Sequence, residues 1–168
     1  GTGVGGGLIL GGAPYRGATG SGAELGHVVV QVDGLPCRCG GRGHLESYAT
    51  GLAADGFARE RFGPESDARD LVRRARAGEK AALELLAEVG RYVGAAVASF
   101  VNALEPELVV IGGGFGEAAG EFLLPSAREV IRPALICIER RACPVRDGVS
   151  HYNEGAARAS RFNLDARE

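Results

Sequence analysis

At 168 residues, with 45% hydrophobic and 24% charged side chains, the sequence has the size and balance of one globular domain that buries a core without disulfide staples, which excludes a disordered chain. The net charge is −2, with Lys and Arg interspersed among Asp and Glu, so the basic footprint of nucleic-acid or anionic-membrane binding is missing. No apolar run approaches the ~20 residues that a bilayer span needs.

Glycine fills 28 positions and methionine none. The chain opens inside a glycine motif, GTGVGGG, without the basic start of a signal peptide. The expectation is a cytoplasmic protein and a segment whose N-terminal part lies upstream of Gly1.

In chain order, GLILGGAPYRG reads as a hairpin: residues 8–10 are apolar, Gly11 and Gly12 turn, and Tyr15 returns. Residues 28–32 are short and β-branched, which predicts a second strand. The segment DGLPCRCGGRG is a loop dense in Gly and Pro. One helix is expected from Leu45 to the neighbourhood of Phe62, with Leu45, Tyr48, Leu52 and Phe57 on a common face. A second starts at a Ser66 or Asp67 cap, turns Leu71 and Val72 inward and stops at Gly78. The longest carries Leu83, Leu86, Val89, Val93, Val97, Phe100, Val101 and Leu104 as its apolar stripe and closes before Pro106. Gly90 and Gly94, one turn apart on it, allow another element to pack closely at a cost of about 1 kcal/mol each relative to Ala. ELVVIGGGFG predicts a buried, parallel strand running into glycines, then a helix from about Glu117 to Ile131, an α/β unit. The tail from Val145 on is polar and unassigned, and Cys137 and Cys143 read as reduced packing residues.

Four side chains concentrate the chemistry. His27, Cys37, Cys39 and His44 supply two of the three imidazoles and two of the four thiols. Two imidazoles and two thiolates suit a tetrahedral Zn²⁺ without an open position, hence a structural ion. The competing reading makes the cysteines small buried hydrophobes and His44 a loop residue, since the CRC spacing is tighter than CxxC. A Cys37–Cys39 disulfide would be strained. Glu24 and Glu46 flank this loop: they are either solvated carboxylates or fixed acceptors for the hydroxyls of a polar substrate. The glycines of GTGVGGG, and of IGGGFG between strand and helix, either turn the chain or leave backbone N–H groups open to phosphate. The first lacks the Lys-Ser/Thr ending of a P-loop.

Taken in order, GTGVGGG, GAELGH, CRCGGRGHLE and LVVIGGGFG resemble the C-terminal half of the ROK family of bacterial glucokinases, other sugar kinases and sugar-responsive repressors, over residues 1–145. The resemblance implies an α/β lobe of the actin-like ATPase (ribonuclease H-like) type with a zinc loop at 27–46, an atypical polar tail at 146–168, and a missing N-terminal lobe. It implies that His27 binds both zinc and sugar, that Cys37 and Cys39 are zinc ligands, and that His44 stands in for the family's usual third cysteine. It assigns Glu24, His27 and Glu46 to the sugar, Thr2, Gly3, Gly5 and Gly6 to the phosphates, and Gly113 and Gly114 to the adenine nucleotide. No catalytic base is assigned, because the aspartate of the first lobe is expected before Gly1. The parent is then an ATP- and Mg²⁺-dependent hexose kinase, with glucose the expected substrate and a homodimer the expected assembly, and this segment alone is inactive. The alternatives are the effector-binding part of a sugar-responsive repressor and a free-standing zinc module.

Overall fold

The computed structural model describes residues 1–135 and 145–147. A short hairpin comes first, with β1 (Ile9–Leu10) antiparallel to β2 (Ala13–Pro14). Its turn residues Gly11 and Gly12 sit at φ +59° and +78°, the left-handed pair that a two-residue hairpin loop requires. Tyr15 N–H closes it onto the Leu8 carbonyl at 2.8 Å, as expected.

Five α-helices follow among the described residues: α1 (Glu46–Ala49), α2 (Gly51–Phe62), α3 (Ala68–Arg76), α4 (Lys80–Leu104) and α5 (Gly113–Ala134). The single helix expected over 45–62 is two. Thr50 leaves the helical region at ψ 160°, and its hydroxyl accepts the Ala53 N–H at 2.9 Å, so a good N-capping residue starts a new helix. Of the two candidate caps for α3, Asp67 takes the role by accepting the Asp70 N–H. The helix ends at Arg76, and Gly78 at φ +81° turns the chain out of it, the stop that was expected.

The core lies along α4. Its N-terminal half packs with α2, α3 and α5 through Ala54, Ala58, Leu71, Leu86 and Val89. Its C-terminal half packs Val93, Val97 and Val101 with Leu45, Leu124 and Ile131. Burying Leu71 and Leu86 completely stabilises by roughly 1.5 to 3 kcal/mol each. Two members of the expected stripe, Leu83 and Leu104, are instead exposed, while Ala82 beside Leu83 is fully buried. Gly90 and Gly94 meet the backbone of α5 at Leu123 and Ala127, so the close packing read from their spacing is what the fold uses.

β3 (Val109–Ile111) pairs in parallel with β4 (Val145–Asp147), in the register Val109↔Val145, and α5 lies between them in sequence. The α/β unit is therefore present, with two corrections. Val110 is exposed, so β3 is not a fully buried strand among the described residues. The helix begins at Gly113, earlier than expected, and contains Pro125 and Pro133. Residues 145–147 form a strand where a polar tail was expected, while Cys137, Cys143 and the rest of that tail lie outside the described residues. No helix among the described residues is long and apolar enough to cross a membrane.

Candidate functional site

Residues 28–32 do not form the expected strand. A turn of 3₁₀ helix (Leu25–His27) leads into a loop tied by two isolated antiparallel bridges, Val29↔His44 and Pro36↔Arg42. Hydrogen bonds from Val30 N–H to Gly43 O (2.8 Å), Leu45 N–H to Val28 O (3.0 Å) and Cys37 N–H to Gly41 O (2.8 Å) fold it back on itself. Gly43 is required: at φ +73° it lies against the Gln31 carbonyl, where any Cβ would collide. The β-branched run is thus spent on a loop anchor, since among the described residues its partner is a tight glycine turn reached through the single bridge Val29↔His44.

This fold-back brings His27, Cys37, Cys39 and His44 together, with one potential ligand atom from each within 4.8 Å of the others. Cys39 Sγ lies 3.2 Å from His44 Nδ1 and receives the Gly41 N–H at 3.5 Å. The rings of His27 and His44 meet edge to face, 5.4 Å apart. Cys37 is buried, and its thiol is pulled down to about 6, first by the Cys39 backbone N–H and then by His44, while burial opposes the shift. A thiol so lowered is readily available as thiolate, the form that binds metal. Zn²⁺ bonds of ~2.0 to 2.3 Å place tetrahedral ligand atoms about 3.3 to 3.8 Å apart, so the donor set fits such an ion with a small contraction.

The two carboxylates flank His27 on opposite sides. Glu24 Oε2 is 3.4 Å from Nδ1, and Glu46 Oε1 is 4.0 Å from Nε2. Glu24 is mostly exposed and Glu46 mostly covered, 69% against 20% side-chain exposure, so Glu46 is held more firmly. It opens α1, and its second oxygen accepts the Val4 N–H at 3.0 Å. Gly3 runs past the same oxygen so closely that a Cβ there would sit 2.7 Å from it.

The structure therefore joins the first glycine segment to the metal-type cluster, a contact that sequence spacing does not contain. Gly6 lies against Leu25, and Gly26 against the Val4 carbonyl. Thr2 and Gly5 are exposed. Gly113 and Gly114 stand at the start of α5, open around their Cβ positions, with Gly113 at φ +83°. They do not touch His27 or the carboxylates. Both glycine segments instead approach the N-terminus of α2, where a Cβ on Gly51 would meet Gly1 O at 3.3 Å and Phe115 Cβ at 3.6 Å. The sequence reading missed Thr50, Gly51 and the Val4 N–H. The Thr-Gly pair inside an apparent helix was the available signal.

A profile of the ROK family matches residues 1–159. The chain is 40% identical over 145 residues to a glucokinase of Thermotoga maritima, covering 78% of this chain and 45% of that one. Among solved structures it is similar to a ROK family glucokinase from Streptomyces griseus in complex with glucose and AMPPNP, at TM-score 0.76 and 32% identity, covering 89% of this chain and 53% of that one. It is also similar to a ROK family transcriptional regulator, a homolog of the E. coli MLC protein, at TM-score 0.77 and 29% identity over 87% of this chain and 39% of that one. The chain spans about half the length of the glucokinases it matches. A helix-rich α/β architecture, four ordered motifs and these likenesses agree, and the chain belongs to the ROK family.

Proposed function

We propose that the chain is the sugar- and nucleotide-contacting C-terminal lobe, residues 1–145, of an ATP-dependent hexose kinase that phosphorylates glucose at its 6-hydroxyl. The observation that carries this reading is the bridge made by Glu46: one carboxylate oxygen is fixed by Val4 of the glycine segment and the other faces His27. A fixed carboxylate beside an imidazole can accept sugar hydroxyls, and the glycine backbone next to it can receive phosphate, so the two substrates would meet at one place. Glu24, His27 and Glu46 are assigned to the sugar. Thr2, Gly3, Gly5 and Gly6 are assigned to the phosphates of ATP, and Gly113 and Gly114 to the nucleotide across the N-terminus of α2. Mg²⁺ would neutralise charge on the transferring phosphate. The proton acceptor is assigned outside these 168 residues.

His27, Cys37, Cys39 and His44 would hold a structural Zn²⁺, whose contribution is to cross-link the loop. The protein's own residues do the remaining work: Glu46 is kept beside His27, 4.0 Å from its Nε2, and the hydrogen bonds of residues 28–45 hold the loop that carries His27. Similarity to glucokinases supports the kinase reading. The likeness to a ROK regulator favours a second one, in which the same sugar contacts report effector binding instead of reaction. Calorimetric titration of glucose and of a non-hydrolysable ATP analogue into the complete polypeptide separates them. The kinase reading requires both to bind, and a protein that binds glucose while ignoring the nucleotide would be the regulator.

A further inference from the structure

Cys37 is the buried member of the four-residue cluster, and the dipeptide in front of it, Leu35–Pro36, has only three polar backbone groups, since proline lacks an N–H. Gly43 N–H serves the Leu35 carbonyl at 2.8 Å. Side chains of α1 serve the other two: Tyr48 Oη accepts the Leu35 N–H at 2.6 Å, and Ser47 Oγ donates to the Pro36 carbonyl at 3.1 Å. The backbone leading into Cys37 is therefore tied to α1 by protein groups alone.

The Tyr48 hydroxyl is hemmed in. Its side chain is almost fully buried, and its ring stacks on that of Tyr92 with centroids 4.1 Å apart. On the other side Gly34 passes so close that a Cβ there would overlap the Tyr48 hydroxyl oxygen. Only glycine fits, so the approach to Cys37 is fitted to that hydroxyl. Glu46, whose carboxylate faces His27, belongs to the same turn of helix. One turn of α1 thus reaches the cluster twice, at His27 through Glu46 and beside Cys37 through Ser47 and Tyr48.

We propose that Tyr48 and Ser47 are positioning residues for the metal cluster, fixing the backbone that presents Cys37 to the ion. The proposal rests on the reading of His27, Cys37, Cys39 and His44 as zinc ligands, and it holds equally for a kinase and for a regulator. Removing the Tyr48 hydroxyl leaves the Leu35 N–H without its acceptor in a half-covered place, and the chain must shift to find another. Hydrogen-bond partners behind metal ligands are typically worth about 10- to 100-fold in metal affinity.

Competition for zinc between the full chain and a chromogenic chelator tests it. Tyr48→Phe should bind zinc about 10- to 100-fold more weakly than the wild type. Ser47→Ala should move in the same direction, and Ser47→Thr, which keeps a hydroxyl, should restore the wild-type affinity. Tyr92→Phe is the control: it deletes the hydroxyl that donates to Gln31 Oε1, away from Leu35 and Pro36, and should leave zinc affinity unchanged. Both tyrosine variants are expected to lose stability in zinc-free melts, so zinc affinity is what separates positioning from general support of the fold. A wild type that binds no zinc overturns the ligand reading and this proposal together. Zinc bound tightly by the wild type and equally tightly by Tyr48→Phe overturns the proposal alone, as does a Tyr92→Phe variant that loses as much affinity as Tyr48→Phe.

Discussion

Glu46 Oε2 accepts the backbone N–H of Val4 at 3.0 Å, joining residues 42 apart in sequence. That bond orients the carboxylate, leaving Oε1 toward His27. Glu46→Gln in the complete protein should weaken glucose binding by about 10-fold to 150-fold, the loss of one charged hydrogen bond of about 1.5 to 3 kcal/mol. Zinc content should stay the same. Calorimetry with metal analysis of both proteins checks this, and an unchanged affinity would remove Glu46 from the sugar site.

Metal analysis of protein purified without chelator should find one zinc per chain. Cys37→Ser should lose it, since Cys37 supplies a buried thiol held down to about 6 by the Cys39 backbone N–H and His44. His44→Cys should keep it, because a thiolate at that position still completes four ligands. Zinc retained in Cys37→Ser would mean that the four residues are not the ligands.

The isolated 168-residue chain should show no glucose-dependent consumption of ATP, because the proton acceptor is assigned elsewhere. A coupled assay giving measurable turnover would place the base among residues such as Glu24.

Gly90→Ala should destabilise the fold. The added Cβ would strike the Leu123 carbonyl, and a backbone atom of α5 cannot step aside as a side-chain tip can. Overpacking costs about 1 to 3 kcal/mol, which outweighs the helix-propensity gain of about 1 kcal/mol. Gly56→Ala, where nothing lies within 4 Å, should instead be neutral or stabilising. Urea unfolding of both variants decides it.

Asp70 gives a pH signature. Arg74 above all, with Ser66 and Arg73 also contributing, holds its carboxyl down to about 2, against partial burial. Because the folded value lies below the ordinary one of about 3.9, the contribution is present above pH ~4 and is lost as pH falls toward 2. Asp70→Asn should flatten the fall in stability over that window. Melting temperatures measured between pH 5 and 2 test this, and parallel curves would refute it.

The residue types and order of the motifs were enough, by themselves, to determine the family and the four-residue cluster, because glycine turns, paired thiols and imidazoles carry their chemistry locally. Helix α3 with a cap at Ser66 or Asp67, and the role of Gly90 and Gly94, were legible for the same reason: capping and close approach depend on neighbours within a turn or on the absence of one atom, and the structure chose Asp67. The run at 28–32 misled because β-branching describes a preference, and pairing requires a partner that only the tertiary fold supplies. Thr50 was hidden inside a run of helix-compatible residues that continues on both sides of it. Which carboxylate is fixed, and that Val4 fixes it, could not be read from spacing. Only the packing of Gly3 and Val4 against Glu46 at the start of α1 decides it, since a hydrogen bond across 42 residues is a property of distance in space.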